Sequence, residues 1–189
     1  MLSIPIGWLA WRYRWSRGAL LVAFGIVYAI PSLPLLVILP TILGTSLRSP
    51  VNLVVALTLY AIALMVRSAA DAFGDVDGDI RLSSTALGFS TWRRFWGGVD
   101  LPLAGPGLLA GLRVVIVSTV SLVTVGAVLG ISSLGSLFTD GFQRNIPLEI
   151  FTGIVATVLL AVVLDQLAVV VGKAAMPWTR AIRGGAART

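Results

Sequence analysis

Residues 148–172 read LEIFTGIVATVLLAVVLDQLAVVVG, and only Glu149 and Asp165 in that run carry a charge. A helix rises about 1.5 Å per residue and the hydrocarbon core of a bilayer is about 30 Å thick, so about 20 mainly apolar residues suffice to cross it. This run is long enough, and three others pass the same test: Gly18 to Gly44, Val51 to Ala70 and Pro106 to Gly130. A fifth stretch, Leu2 to Trp11, is too short to span alone. It has no basic flank before it and no clear cleavage site after it, which argues against a secretory signal. It reads as the end of a first membrane helix, cut short at its start. The fold class expected is all-α: a polytopic transmembrane helical bundle of about five helices, the first truncated.

Composition agrees. Mean hydropathy is +0.97, with 57% hydrophobic and 12% charged residues, where a soluble protein carries roughly a quarter charged. The apolar runs leave no stretch for a separate soluble domain, so residues 1–172 are expected to form one transmembrane domain. Residues 173–189 should form a cytoplasmic tail, disordered in its Ala-, Gly- and Arg-rich end. With no His and no Cys, thiol nucleophiles, His bases, haem attachment and zinc spacings are all excluded. No catalytic group, metal site or cofactor is expected. The net charge of +6 belongs to the flanks of membrane spans, and no nucleic-acid partner is expected.

The basic residues set the orientation. One set of loops holds Arg12, Arg14, Arg17, Arg81, Arg93, Arg94, Lys173, Arg180, Arg183 and Arg188, whereas the other holds only Arg48 and Arg144. The first set should face the cytoplasm. On that side lies the longest hydrophilic segment, Asp71 to Gly105. Within it Leu82, Ala86, Phe89, Arg93 and Trp96 recur at helical steps, which predicts one short amphipathic surface helix over 82–96 ended by Gly97 and Gly98.

Charges inside the spans are costly in hydrocarbon and often functional. Arg67, Arg113 and Asp165 all lie toward the cytoplasmic ends of their helices. They read first as snorkelling or structurally paired groups, an Arg113–Asp165 pair among them, and second as functional ones. Gly107 with Gly111 and Gly126 with Gly130 form small-xxx-small patterns that let helix backbones approach closely. Pro31, Pro34 and Pro40, with Ser32 between the first two, interrupt the first long span and predict a broken helix, either a pathway lining or a static kink. No P-loop is present: Gly172–Lys173 is followed by Ala174, and no glycine stands five residues before the lysine. An ATP-driven activity would need its nucleotide site on a partner.

Three segments carry a family resemblance. Ile30 to Gly44, IPSLPLLVILPTILG, resembles a stretch of the osmoprotectant (quaternary-amine) permeases of the ATP-binding-cassette importers. ALGFSTWRRFWGGVDLPLAGPGLLAGLR, from Ala86 to Arg113, resembles that family's cytoplasmic loop, which runs EAA, three residues, Gly, about nine residues, a hydrophobic residue, any residue and Leu-Pro. Val125 to Gly141, VGAVLGISSLGSLFTDG, resembles its glycine-containing run after the fourth core helix. The match extends from about Leu2 to Val171. Gly88 falls on the loop's central glycine and Leu101–Pro102 on its closing pair. Leu82, Ser83 and Ser84 stand at the EAA triplet, one extra residue separates Gly88 from Leu101, and Ser132–Ser133 replace glycines.

The resemblance implies a type I ABC importer (MetI-like) permease fold in the inner or plasma membrane. It also implies a cytoplasmic ABC ATPase, a second permease chain and an extracytoplasmic solute-binding protein as partners. The loop would dock on the ATPase through Ala86, Gly88, Phe89, Trp92, Arg93, Arg94, Phe95, Leu101 and Pro102, with its aromatics and guanidinium as anchors. The solute would be glycine betaine, choline or carnitine. A related importer of another small solute such as an amino acid, or a non-transporting membrane scaffold, are the alternatives.

Overall fold

The computed structural model describes residues 3–96 and 98–178, for 14–16 the backbone alone. Among them there is no strand. The helices are α1 (Ser3–Arg12), α2 (Arg14–Ala29), α3 (Ser32–Leu43), α4 (Pro50–Gly74), α5 (Gly78–Ala86), α6 (Thr91–Trp96), α7 (Asp100–Val125), α8 (Ser136–Gln143) and α9 (Pro147–Ala175), with a 3₁₀ turn at Gly126–Leu129. Three are long and apolar enough to cross a bilayer: α4, α7 with its 3₁₀ turn, and α9. A fourth crossing is available to the pair α2–α3, bent by 95° at its break. The short α1 keeps its expected place. The expected tail from 173 begins later: α9 continues through Ala175, and the Trp178 indole N–H donates to the Pro102 carbonyl at 3.1 Å. The disorder expected for residues 180–189 concerns a stretch outside the described residues.

The chain divides into two compact units. One comprises residues 22–64 and 114–166. Its core is Leu35, Leu36 and Leu39 of α3 against Leu53, Ala56 and Tyr60 of α4, with Ile131. The break between α2 and α3 follows from proline chemistry. Pro31 caps α3 in an extended conformation, φ −62° and ψ 137°, and Pro34 has no N–H to give to the Ile30 carbonyl. Hydrocarbon cannot satisfy that carbonyl, and the Tyr60 hydroxyl donates to it at 2.5 Å. Of the three prolines expected to interrupt this span, only Pro31 breaks it. Pro34 sits in the first turn of α3, where the missing N–H costs little, and Pro40 stays inside the helix. Ser32 opens α3. Gly44 ends it at φ 66°, and the loop after it wraps a fully buried Asn52, which accepts from the Thr45 hydroxyl at 2.5 Å and donates to the Ser46 carbonyl at 2.8 Å.

The other unit comprises, among the described residues, those of 3–21, 65–113 and 167–178. Close backbone approaches assemble it. A Cβ on Gly7 of α1 would stand 2.5 Å from the Ala69 Cβ, and one on Gly107 or Gly111 of α7 would stand 2.8 Å or 2.5 Å from Ala72 or Ser68 Cβ. Both α1 and the start of α7 therefore lie directly on the end of α4, the packing that small residues permit. The loop expected to carry function belongs wholly to this unit.

Candidate functional site

The loop begins where α4 ends at Gly74. Asp77 then opens α5, its carboxylate accepting from the Asp79 N–H at 2.9 Å. The sequence predicts one helix over 82–96, but two form, separated at residues 87–90. Gly88 is the cause. It sits at φ 85°, its N–H donates to the Thr85 carbonyl at 3.0 Å, and the Phe89 N–H donates to the Ser84 carbonyl at 3.1 Å. That bond pair is a Schellman cap, which stops α5 and re-aims the chain into α6. The residues of the predicted period share no core-facing side: Leu82, Ala86, Arg93 and Trp96 are exposed and Phe89 is half-buried.

Asp100, the first residue of α7, organises the polar part of the loop. Its side chain is fully buried, and its two oxygens are held separately: Arg81 Nε lies 3.0 Å from Oδ1 and Arg94 Nε 3.1 Å from Oδ2. The two arginine side chains are themselves only 12% and 11% exposed. Arg81 also donates to the carbonyls of Val76, at 3.1 Å, and Phe73, satisfying acceptors around the C-terminal end of α4. Its guanidinium lies 3.9 Å from the centre of the Trp11 ring of α1. Arg94 reaches on to the Thr85 hydroxyl at 3.2 Å, and Ser84 and Thr85 both donate to the Arg81 carbonyl at 2.8 Å. Such charge-assisted bonds fix direction as well as distance.

An aromatic cluster closes the inner side. Phe95 is 1% exposed, with ring centres of Trp8, Trp96, Phe73 and Trp92 at 4.6, 4.9, 5.8 and 6.3 Å. Two residues expected on the docking face are thus turned inward: Phe95 fills this core and Arg94 serves Asp100. Phe95 is the most apolar position of a six-residue helix and must cover the unit's interior, while Arg94 lies close enough in sequence to reach the acid at the next helix start.

What remains outward is a mainly apolar face. Leu87, Leu82, Trp96 and Trp92 are 78%, 70%, 65% and 63% exposed. Ala86, Gly88 and Arg93 are exposed with them, and Arg93 hangs over the half-buried Phe89 ring at 5.7 Å. Leu101 and Pro102 are half-buried in the first turn of α7, where proline fits. Pro106 then leaves the Pro102 carbonyl without its helical donor, and the Trp178 indole takes that place. Arg113 is an exposed residue of α7 and Asp165 a half-buried one of α9, assigned to different units. Among the described residues no cluster of acidic side chains could hold a metal ion. Neither the apolar period nor the family pattern marks Arg81 or Asp100 as a site residue. Their one signal is an acid at a helix start directly before Leu-Pro.

Comparison with known proteins fits this geometry. A family described as binding-protein-dependent transport system inner membrane component matches residues 3–180. The osmoprotectant import permease protein OsmW of Salmonella typhimurium is 28% identical over 171 residues, which cover 88% of this chain and 78% of that one. The glycine betaine/carnitine/choline transport system permease protein OpuCB of Bacillus subtilis is 25% identical over 177 residues, covering 94% and 80%. A solved structure of the MetNI methionine ABC transporter in inward-facing conformations shares the fold, with a TM-score of 0.76 at 23% identity over 91% of this chain and 85% of that one. Three long apolar spans, a bent fourth and a folded polar loop between α4 and α7 are thus the parts of a known architecture: the chain belongs to the family of binding-protein-dependent transport system inner membrane components.

Proposed function

We propose that the chain is the permease subunit of an ATP-binding-cassette importer for osmoprotectants such as glycine betaine, choline or carnitine. In this reading α5 and α6 dock on a cytoplasmic ATPase, a second permease chain completes the pathway, and an extracytoplasmic binding protein delivers the solute. The observation that carries it is the outward face of the loop. Leu82, Leu87, Trp92 and Trp96 are large apolar side chains left exposed on a segment whose Arg81, Arg94 and Asp100 are bound internally. A soluble surface seldom presents such a group unless a partner covers it, and tryptophan beside arginine is the composition of an interface hot spot. The solute class rests on the named relatives. With no P-loop sequence of its own, the chain contributes the path and the mechanical link, and ATP binding at the partner shifts the balance between inward- and outward-open states.

The experiment is to co-express the chain with candidate ATPase and binding-protein subunits from the same genome, reconstitute the complex, and measure uptake of labelled betaine, choline and carnitine. Uptake of at least one of these should require ATP and the binding protein. Trp92→Ala with Trp96→Ala should weaken ATPase binding by about 2 kcal/mol or more, roughly thirtyfold, with the permease still folded. Wild-type ATPase binding in the double variant, or uptake of amino acids alone, would refute the docking face or the solute class respectively.

A further inference from the structure

Three helices meet on one carboxylate. Asp100 opens α7, Arg81 comes from α5, and Arg94 from α6, with Asp100 fully buried beneath them. The exposed residues of the docking face lie on the same α5 and α6 and the turn between them but take no part in this cluster. The covalent links between these helices are soft. The α5–α6 turn pivots on Gly88 at φ 85°, and the α6–α7 link contains Gly98 at φ 102°, both conformations that glycine adopts without strain. A push on α6 would be absorbed in those turns if only the backbone joined it to α7. Apolar contact alone resists sliding poorly, because dispersion is non-directional. Two charge-assisted hydrogen bonds to the separate oxygens of one buried carboxylate resist it in a defined geometry.

Resting on the docking proposal above, we infer that Asp100 is a positioning residue that locks α5, α6 and the start of α7 into one rigid block, so that displacement of the docked helices reaches the membrane span undiminished. Arg81 extends the block to the end of α4 through the carbonyls of Phe73 and Val76, and to α1 through the Trp11 ring. The short α1 is then part of the transmission joint, held to α6 by Trp8 against Phe95.

The chain contains no cysteine, so an introduced pair holds its only two thiols. Spin labels at Ser90→Cys, before α6, and Leu112→Cys, on α7, report their separation in the reconstituted importer, both nucleotide-free and trapped with ATP. A single narrow distance distribution, the same in both states, is the expected result. Asp100→Asn should broaden it and lower solute moved per ATP hydrolysed by about tenfold, while Asp100→Glu, which keeps the charge, should recover part of that ratio. A wild-type distance that changes between the states overturns the inference. So does an assembled Asp100→Asn importer with an unbroadened distribution and an unaltered ratio. Where Asp100→Asn does not assemble, the wild-type comparison alone decides. A permease that binds no ATPase sinks the docking proposal instead, a separate failure that is visible on purification.

Discussion

Asp100→Ala is expected to cost the folded protein about 3–5 kcal/mol, because it leaves two nearly buried guanidinium groups facing a site with no counter-charge. The loss should show as a large fall in thermal stability in detergent and in the yield of monodisperse protein. Neither arginine can escape to solvent cheaply. Arg81 is tied to two backbone carbonyls and stacked on Trp11, and Arg94 is tied to Thr85. A control lies in the same chain. Arg144 and Glu149 pair at 3.2 Å with side chains 66% and 29% exposed, and Arg144→Ala should cost no more than about 1 kcal/mol. Equal effects at the two sites would mean that water screens the Asp100 cluster, contrary to its burial.

The second large effect is expected at Gly88. A Cβ there meets nothing within 4 Å, so any loss on substitution comes from the backbone and not from crowding. At φ 85° a residue with a Cβ gives up about 1–2 kcal/mol, and a β-branched one more. Gly88→Val should therefore open the Schellman cap, displace α6, and abolish solute uptake while the membrane spans remain inserted. Because asparagine tolerates the left-handed region better than other residues, uptake should fall in the order Gly, Asn, Ala, Val. An order that follows side-chain volume alone, with alanine better than asparagine, would contradict the backbone explanation.

Much of this architecture was legible in the residues. The spans follow from the long apolar runs, since lipid demands about the same length of any helix that crosses it, and of the prolines at 31, 34 and 40 it is Pro31 that marks the broken one. Gly88 and Leu101–Pro102 were readable through the family pattern, and the structure supplies their reasons: a cap that needs a positive φ, and a helix start that tolerates a missing N–H. Less visible was which residues of 82–96 face inward. The period includes Trp96 and passes over Phe95, yet Phe95 is the buried one because α1 brings Trp8 over it from far away in sequence. The Asp100 cluster escaped for the same reason. Arg81 lies nineteen residues from its acid, a separation closed by the turn at Gly88 and the link containing Gly98, and Arg94 six, across that link alone. The period over 82–96 runs through Gly88, whose positive φ divides the stretch into two helices.

Everything proposed for this chain requires residues 71–105 to stand on the inner side of the membrane with α5 and α6 against a partner. Ser90 is exposed at the head of α6, and Ser90→Cys would be the chain's only thiol. A membrane-impermeant maleimide should leave it unlabelled in intact cells, label it in inside-out vesicles, and label it far more slowly there once the ATPase is bound. Rapid labelling from outside intact cells would contradict that placement, and with it the docking of α5 and α6.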